Sequence, residues 1–218
     1  MNTSKKIDLS DKKNIIFDMD GTLIDSSRLI ANTINFVRKE HNLQPIEIKT
    51  LLEAVNNPEI NSPQFFYEVQ NYTQKHVKLF ESYYSENLHK EIIIYPEVEI
   101  FLETLKNKNY SLFVATNAST KFAVEMLKHL NILHYFKEVV GVSEKLKPKP
   151  APDMLLYILE KYKLANSDTS MIGDSKKDIF SAQKCDIFPI LVKWGFSDHS
   201  NEKSQNFNII TSFEELSI

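Results

Sequence analysis

Two acidic clusters have the residue types and spacing to do chemistry. The first is Asp18-Met19-Asp20-Gly21-Thr22, with carboxylates two residues apart. In an ideal strand such side chains share a face, and a turn at Gly21 lets them diverge. Held close together they repel unless a cation or a proton compensates them, which predicts a metal or a raised pKa. One carboxylate could then attack an electrophile while the other moves a proton. The second cluster is Gly173-Asp174-Ser175-Lys176-Lys177-Asp178. Asp178 falls four residues after Asp174, where the opening turn of a helix can present it beside the first. Hard oxygen ligands from two strand ends suit Mg2+, which takes few carboxylates and keeps waters for a substrate phosphate. A plain helix cap at Asp174 or Ser175 is the competing reading, and the company of Asp18 and Asp20 outweighs it.

A phosphate also needs cations and neutral donors. Thr116-Asn117 closes an apolar run and offers a hydroxyl, an amide and backbone N–H groups near a helix start, a ready anion site. Lys145, Lys147 and Lys149 lie in a proline-rich loop whose restricted backbone could turn a lysine inward. A solvated charge run is the alternative for the rest of them.

These residues must be positioned by alternating strands and helices, the pattern of βα units around a buried parallel sheet. Strands are expected at 15–18, 112–116, 139–142, 171–174 and 187–192, with a short last one at 208–210. Helices are expected at 96–108, 120–130, 152–162 and 176–184. Pro96 and Pro152 would sit in first turns, where a missing N–H costs nothing. Only four glycines occur in 218 residues. Gly21, Gly141, Gly173 and Gly195 each follow an expected strand, which predicts one shared rim at the strand C-termini, where ligands bind.

From Ser26 to Ile94 the alternation stops and helical periodicity takes over. Phe65, Val69, Tyr72, His76, Leu79 and Tyr83 step by three and four, which predicts one face of a single long helix. On that stripe His76 reads as a packed histidine rather than a ligand, and the aromatic rings as core. Asp25 and Ser26 read as N-caps of the first helix of the segment.

At about 150 residues per domain the length allows one or two domains and a sizeable core. Apolar residues at 42% and charged residues at 25% exclude a disordered or collagenous chain. Lys plus Arg number 26 and Asp plus Glu 29, so the net charge of −3 gives no field for nucleic acid or an anionic membrane. Cys185 is alone and the six histidines are scattered, which excludes a disulfide scaffold and a Cys/His zinc site. Residues 1–13 are polar, and no apolar run approaches the 18 or so residues of a membrane span. A cytoplasmic protein is expected.

Four motifs in register, Asp18-x-Asp20-Gly21-Thr22, Thr116-Asn117, Lys149-Pro150-x-Pro152 and Gly173-Asp174-Ser175-x-x-Asp178, resemble those of the haloacid dehalogenase-like superfamily. Within it the chain is most similar to phosphoglycolate phosphatase-like members with a helical cap. The likeness covers nearly the whole chain, including Tyr95-Pro96. It implies a Rossmann-like parallel sheet with helices on both faces, built from residues 1–25 and 92–218, and an all-helical cap, residues 26–91, inserted after the first strand. It implies a Mg2+-dependent phosphatase of small phosphorylated metabolites with no nucleic-acid or membrane partner. Asp18 would be the nucleophile that becomes an aspartyl phosphate, and Asp20 the general acid and base. Asp18, the backbone carbonyl of Asp20, and Asp174 would hold Mg2+, with Asp178 in or beside that set. Thr116 and Asn117 would bind phosphoryl oxygens. The family places its lysine about 25 residues before the fourth-motif aspartate, which selects Lys149 to neutralise charge and orient Asp18.

The chain departs from the pattern at Glu97, where many relatives carry glycine after Tyr-Pro, at Ala118, where a lysine is frequent, and across 51–60, which lacks a frequent glycine. A β-phosphoglucomutase-like phosphomutase and an inorganic pyrophosphatase are the alternatives, and Thr22 favours the phosphatases. A carbon–halogen hydrolase would need neither Asp20 nor Asp174, and a non-catalytic relative would show a broken motif.

Overall fold

Strands that are apolar without alternation must be covered on both faces, and that demand organises the chain. In the computed structural model, which describes residues 6–196 and 208–218, the short β1 (Ile7–Asp8) leads into β2 (Asn14–Phe17), all of whose residues are buried. The first five residues of the polar N-terminal stretch lie outside the described residues. β2 joins β5 (Ser111–Ser119), β6 (Glu138–Val142), β7 (Thr169–Gly173), β8 (Phe188–Val192) and β9 (Asn208–Ile210) in one six-stranded sheet. The order is β6-β5-β2-β7-β8-β9 and every neighbouring pair is parallel. β1 pairs with β10 (Leu216–Ser217) beside this sheet.

Side chains alternate between the two faces as strand geometry requires. Ile15, Phe17, Leu112, Val114 and Ile172 pack with Phe101 and Leu102 of α5 (Val98–Asn107) and Met126 and Leu127 of α6 (Thr120–His129). Ile16, Phe113, Ala115 and Met171 pack with Met154 and Ile158 of α7 (Asp153–Tyr162) and Ala182 of α8 (Lys176–Gln183). Each large side chain removed from water contributes about 1.5–3 kcal/mol, so both faces are strongly held.

Between β3 (Ile24–Asp25) and β4 (Ile93–Ile94), a two-residue antiparallel pair, the chain forms four helices. They are α1 (Ser27–Glu40), α2 (Ile48–Asn56), α3 (Ser62–Tyr67) and α4 (Gln74–Asn87). Ala31, Ile34, Val37, Leu51, Phe66 and Tyr67 give this layer a hydrophobic cluster of its own. Leu29 of α1, Tyr84 of α4 and Leu88 just after it belong instead to the cluster under the sheet and make apolar contact between the two parts. Among the described residues no helix is long and apolar enough to cross a membrane.

Three local expectations are corrected. The 65–83 stripe is not one helix. Tyr67 ends α3, Glu68 adopts φ 58 in the left-handed region, and Thr73 restarts the chain as the N-cap of α4. The Thr73 hydroxyl accepts from the His76 N–H, and the Thr73 N–H donates to His76 Nδ1. α5 begins at Val98 rather than at Pro96, because Glu97 has φ 69. That conformation favours glycine, so a glutamate here sits in a strained region. Ser26 occupies the N-cap position of α1 without a side-chain cap bond, its hydroxyl being turned to Asp20, while Asp25 Oδ1 accepts from the Ser27 N–H at 2.9 Å.

Candidate active site at the sheet edge

From β2 the chain continues first to β5 and β6 on one side, and only later to β7 on the other. The crevice outside the C-terminal ends of β2, β5 and β7 is therefore the switch point where open parallel sheets take ligands. The first acidic cluster follows β2, Thr116-Asn117 lies in β5, and Asp174 follows β7.

Asp18 keeps the ladder going beyond β2 by donating its N–H to the Ile172 carbonyl at 2.8 Å, and is 8% exposed. The next residues turn tightly. The Met19 carbonyl accepts from the N–H groups of Thr22, Leu23 and Ile24, and Gly21 takes φ 82. A Cβ at Gly21 would run into the Asp174 carboxylate, as would one at Gly195, so both glycines let backbone close on that acid. The turn carries Asp20 away from Asp18. Its Oδ1 accepts from the Ser26 hydroxyl and its Oδ2 from Thr116 Oγ1 at 3.4 Å.

Asp174 is fully buried. Its Oδ2 accepts from the Phe196 N–H at 2.8 Å and from Asn56 Nδ2 at 3.0 Å, the latter reaching over from the end of α2. Its Oδ1 is buried without a hydrogen-bond partner. Asp178, in the first turn of α8, accepts at Oδ2 from the N–H and hydroxyl of Ser175, at 3.0 and 2.7 Å.

Lys149 is 3% exposed and the proline-rich loop points it inward. Its ammonium donates to Asp18 Oδ1 at 2.7 Å and to the Ala115 carbonyl at 2.6 Å, and forms an ion pair with Asp178 Oδ1 at 2.6 Å. Asn117 fixes this loop, accepting from the Lys149 N–H at 2.8 Å and donating to its carbonyl at 3.0 Å. The Asn117 side chain thus faces Lys149, while Thr116 Oγ1 bridges the Ala118 N–H and Asp20.

Asp18, Asp174 and Asp178 each offer an oxygen within 4.8 Å of the others, all three buried. Three carboxylates against one ammonium leave a surplus of negative charge in a dry place. Burial, and then the repulsion of Asp178, push Asp18 up to about 7 against the pull of Lys149. Burial and the charges of Asp18 and Asp178 raise Asp174 well above the carboxylate range. Burial raises Asp20 too, against the Ser26 hydroxyl, which keeps it ready to hold a proton. Burial alone would lower Lys149, but Asp178 and Asp18 together raise it, so it stays charged. Protons or a divalent cation can relieve the surplus, and the unpartnered Asp174 Oδ1 is an open oxygen for the latter.

A cavity of about 470 Å3 opens over these groups. Asp18, Asp20, Thr116, Asn117, Lys149 and Asp178 line one side, and Ile30, Ile34, Phe66, Phe80 and Tyr84 from the helical layer line the other. Every site residue expected from the sequence therefore borders this cavity or, like Asp174, abuts those that do. Sequence reasoning missed Ser26 as a partner of Asp20, Asn56 as a partner of Asp174, and Lys177, whose Nζ donates to the Val55 carbonyl of α2 at 2.6 Å. It also missed the cavity face of α4. His76, Phe80 and Tyr84 step by four along it, a signal present in the sequence but on a different line from the stripe chosen.

Residues 15–192 match the family described as haloacid dehalogenase-like hydrolase. The phosphoglycolate phosphatase of Pasteurella multocida is 33% identical over 197 residues, covering 85% of this chain and 87% of that protein. That of Haemophilus influenzae is 30% identical over 200 residues, with coverage of 85% and 87%. Among solved structures, a predicted phosphatase from Clostridium acetobutylicum matches with a TM-score of 0.84 at 27% identity, over 94% of this chain and 95% of that one. A predicted phosphoglycolate phosphatase from Haemophilus somnus matches with a TM-score of 0.79 at 27% identity, over 92% and 94%.

Proposed function

As the chain belongs to the haloacid dehalogenase-like hydrolase family, we propose that it is a cytoplasmic, Mg2+-dependent phosphatase of small phosphorylated metabolites that works through an aspartyl phosphate on Asp18. The observation that carries this reading is the buried trio Asp18, Asp174 and Asp178, whose three carboxylates face the single ammonium of Lys149 under an open cavity. The relatives named as phosphatases support the reaction class.

Asp18, Asp174 and the backbone carbonyl of Asp20 would hold the ion, with Asp178 beside them. When bound, it would offset the charge of the transferring phosphoryl group. Lys149 orients Asp18 and adds a second positive charge. A carboxylate oxygen of Asp18 forms a bond to phosphorus while the bond from phosphorus to the ester oxygen breaks. The leaving oxygen keeps the electron pair and takes the proton held by Asp20. Asp20, now ionised, accepts a proton from water, whose oxygen attacks the phosphorus of the aspartyl phosphate. Inorganic phosphate leaves and Asp18 is a carboxylate again. Thr116 Oγ1 and the N–H groups around Asn117 receive phosphoryl oxygens, and Asn117 holds Lys149 in place. Residues 26–91 act as the cap over a core of 1–25 and 92–218, excluding stray water and contacting the alcohol.

Asp18→Asn removes the nucleophile with almost no change in volume. Phosphate release from a panel of phosphate esters should fall by about 10^3 or more, with the circular dichroism spectrum unchanged, and full activity in that variant would refute the assignment. EDTA should stop the wild-type reaction and Mg2+ restore it.

A further inference from the structure

The wall facing the acids bears on the alcohol half of the ester. Phe80 and Tyr84 stack at 5.5 Å between ring centroids, and Tyr84 meets Phe122 at 4.9 Å, so three rings form one surface. Ile30, Ile34 and Phe66 extend it. The cavity volume, about 470 Å3, falls among clefts of roughly 300–1,000 Å3 that take drug-sized molecules. A two-carbon acid would leave most of it filled with water against apolar side chains.

The three rings themselves offer a second anion no positive charge. Among the described residues that line the cavity, the basic side chains are Lys149, Lys177 and His76. The Lys149 ammonium already serves three oxygens. Lys177 is turned to the Val55 carbonyl, at 2.6 Å. His76 is stacked between His41 and Tyr67, at 4.2 and 5.0 Å, and burial lowers its pKa. Its Nδ1 accepts from the Thr73 N–H at 3.1 Å, so a proton there would set donor against donor. Glu81 adds a negative charge to the same lining. A carboxylate pressed against the rings of Phe80, Tyr84 and Phe122 would lose its water and gain no ionic partner from them.

From this surface we infer that the preferred substrate is the phosphate monoester of an uncharged, ring-bearing apolar alcohol, an arylalkyl phosphate rather than phosphoglycolate; this rests on the phosphatase reading above and names its substrate class. The phosphoryl group lies at Asp18 and the ring lies against Phe80, Tyr84 and Phe122.

Initial rates in Mg2+ on 2-phenylethyl phosphate, ethyl phosphate and phosphoglycolate test this. The ring-bearing ester should lead in kcat/KM by about tenfold or more, as an apolar group fitted to an apolar pocket gives, mainly through KM. A value for phosphoglycolate equal to or above that for 2-phenylethyl phosphate overturns the inference and leaves the phosphatase reading standing. No phosphate release from any of the three overturns the phosphatase reading instead, and calorimetry then decides the pocket. Tighter binding of 3-phenylpropylphosphonate than of 3-phosphonopropanoate supports it, and the reverse order, or binding of neither, overturns it. Val77→Lys provides a second readout, because Val77 lines the cavity yet is 46% exposed and tolerates a long side chain. It should shift the ratio of the two kcat/KM values toward phosphoglycolate by about tenfold, and an unmoved ratio counts against the inference.

Discussion

The two sides of the cavity are built by different rules. On the sheet side, functional atoms hang from strand ends and tight turns, and nearly every polar atom has a named partner: Lys149 on Asp18 and Asp178, Ser175 on Asp178, Ser26 and Thr116 on Asp20. On the helical side, side chains such as Phe80 and Ile34 meet mainly through area, and His76 is held by Thr73 and by stacking. Directional contacts specify chemistry and forbid most substitutions. Area contacts specify a shape and tolerate exchange among apolar residues of similar volume. On the function proposed above, the reaction is thus fixed on one side, and the choice of alcohol is adjustable on the other.

The sharpest way to break this contrast is Asp20→Asn. It should cut the rate by about 10^2–10^4 on alkyl esters, the usual size of a lost proton transfer. On p-nitrophenyl phosphate, whose leaving oxygen needs no proton, the loss should be far smaller. Equal losses on both esters would remove Asp20 from proton transfer.

Next in size is Lys149→Met, which leaves Asp18 and Asp178 buried with no counter-charge. Denaturant unfolding should show a loss of about 3–5 kcal/mol, the cost of breaking a buried pair from one side. Lys149 holds the Asp18 pKa down, so its loss favours protonated Asp18 and the variant should lose more stability near pH 8 than near pH 5. A pH-independent loss would mean the acids do not depend on Lys149.

A divalent ion probes the same surplus in the wild type. Asp18, at about 7, and Asp174, also raised, contribute most to the ion-free fold when protonated; that contribution is present below the ordinary carboxylate pKa and fades as the pH rises toward 7. Protons therefore compete with the ion. Mg2+ should raise the melting temperature more near pH 8 than near pH 5, reaching about 2.7 kcal/mol of stabilisation at a hundredfold excess over Kd. The smallest effect belongs to the other wall. Among the described residues the Tyr84 hydroxyl donates only to the Met126 sulfur, at 3.4 Å, so Tyr84→Phe should cost under about 1 kcal/mol in thermal unfolding. A larger loss would show that wall to be held by direction and not by area.

The sheet side was legible in the sequence because its chemistry is local. Asp18-x-Asp20-Gly21 and Gly173-Asp174 are each written within a few consecutive residues, and prolines flank Lys149 closely enough to suggest its inward turn. The glycines were equally readable, since a backbone that must approach Asp174 leaves no room for a side chain. The helical side was less so. Periodicity of three and four runs straight through Glu68 and Thr73, where the chain changes direction, because spacing records which face is buried and not where the axis bends. Ser26 looked like a cap since nothing near it in the chain announces Asp20 as its acceptor. Asn56 and Asp174 are 118 residues apart, and only folding joins them.

Ile24 pairs with Ile94 and Asp25 with Ile93, so the excursion into the four helices starts and finishes at adjoining points. A segment whose ends already touch adds little closure entropy when its length changes. Residues 26–92 can therefore be traded for a longer, shorter or differently furnished module while the strands behind them keep their pairing. One reaction centre can serve a succession of lids, and new specificities can arise by graft instead of by redesign.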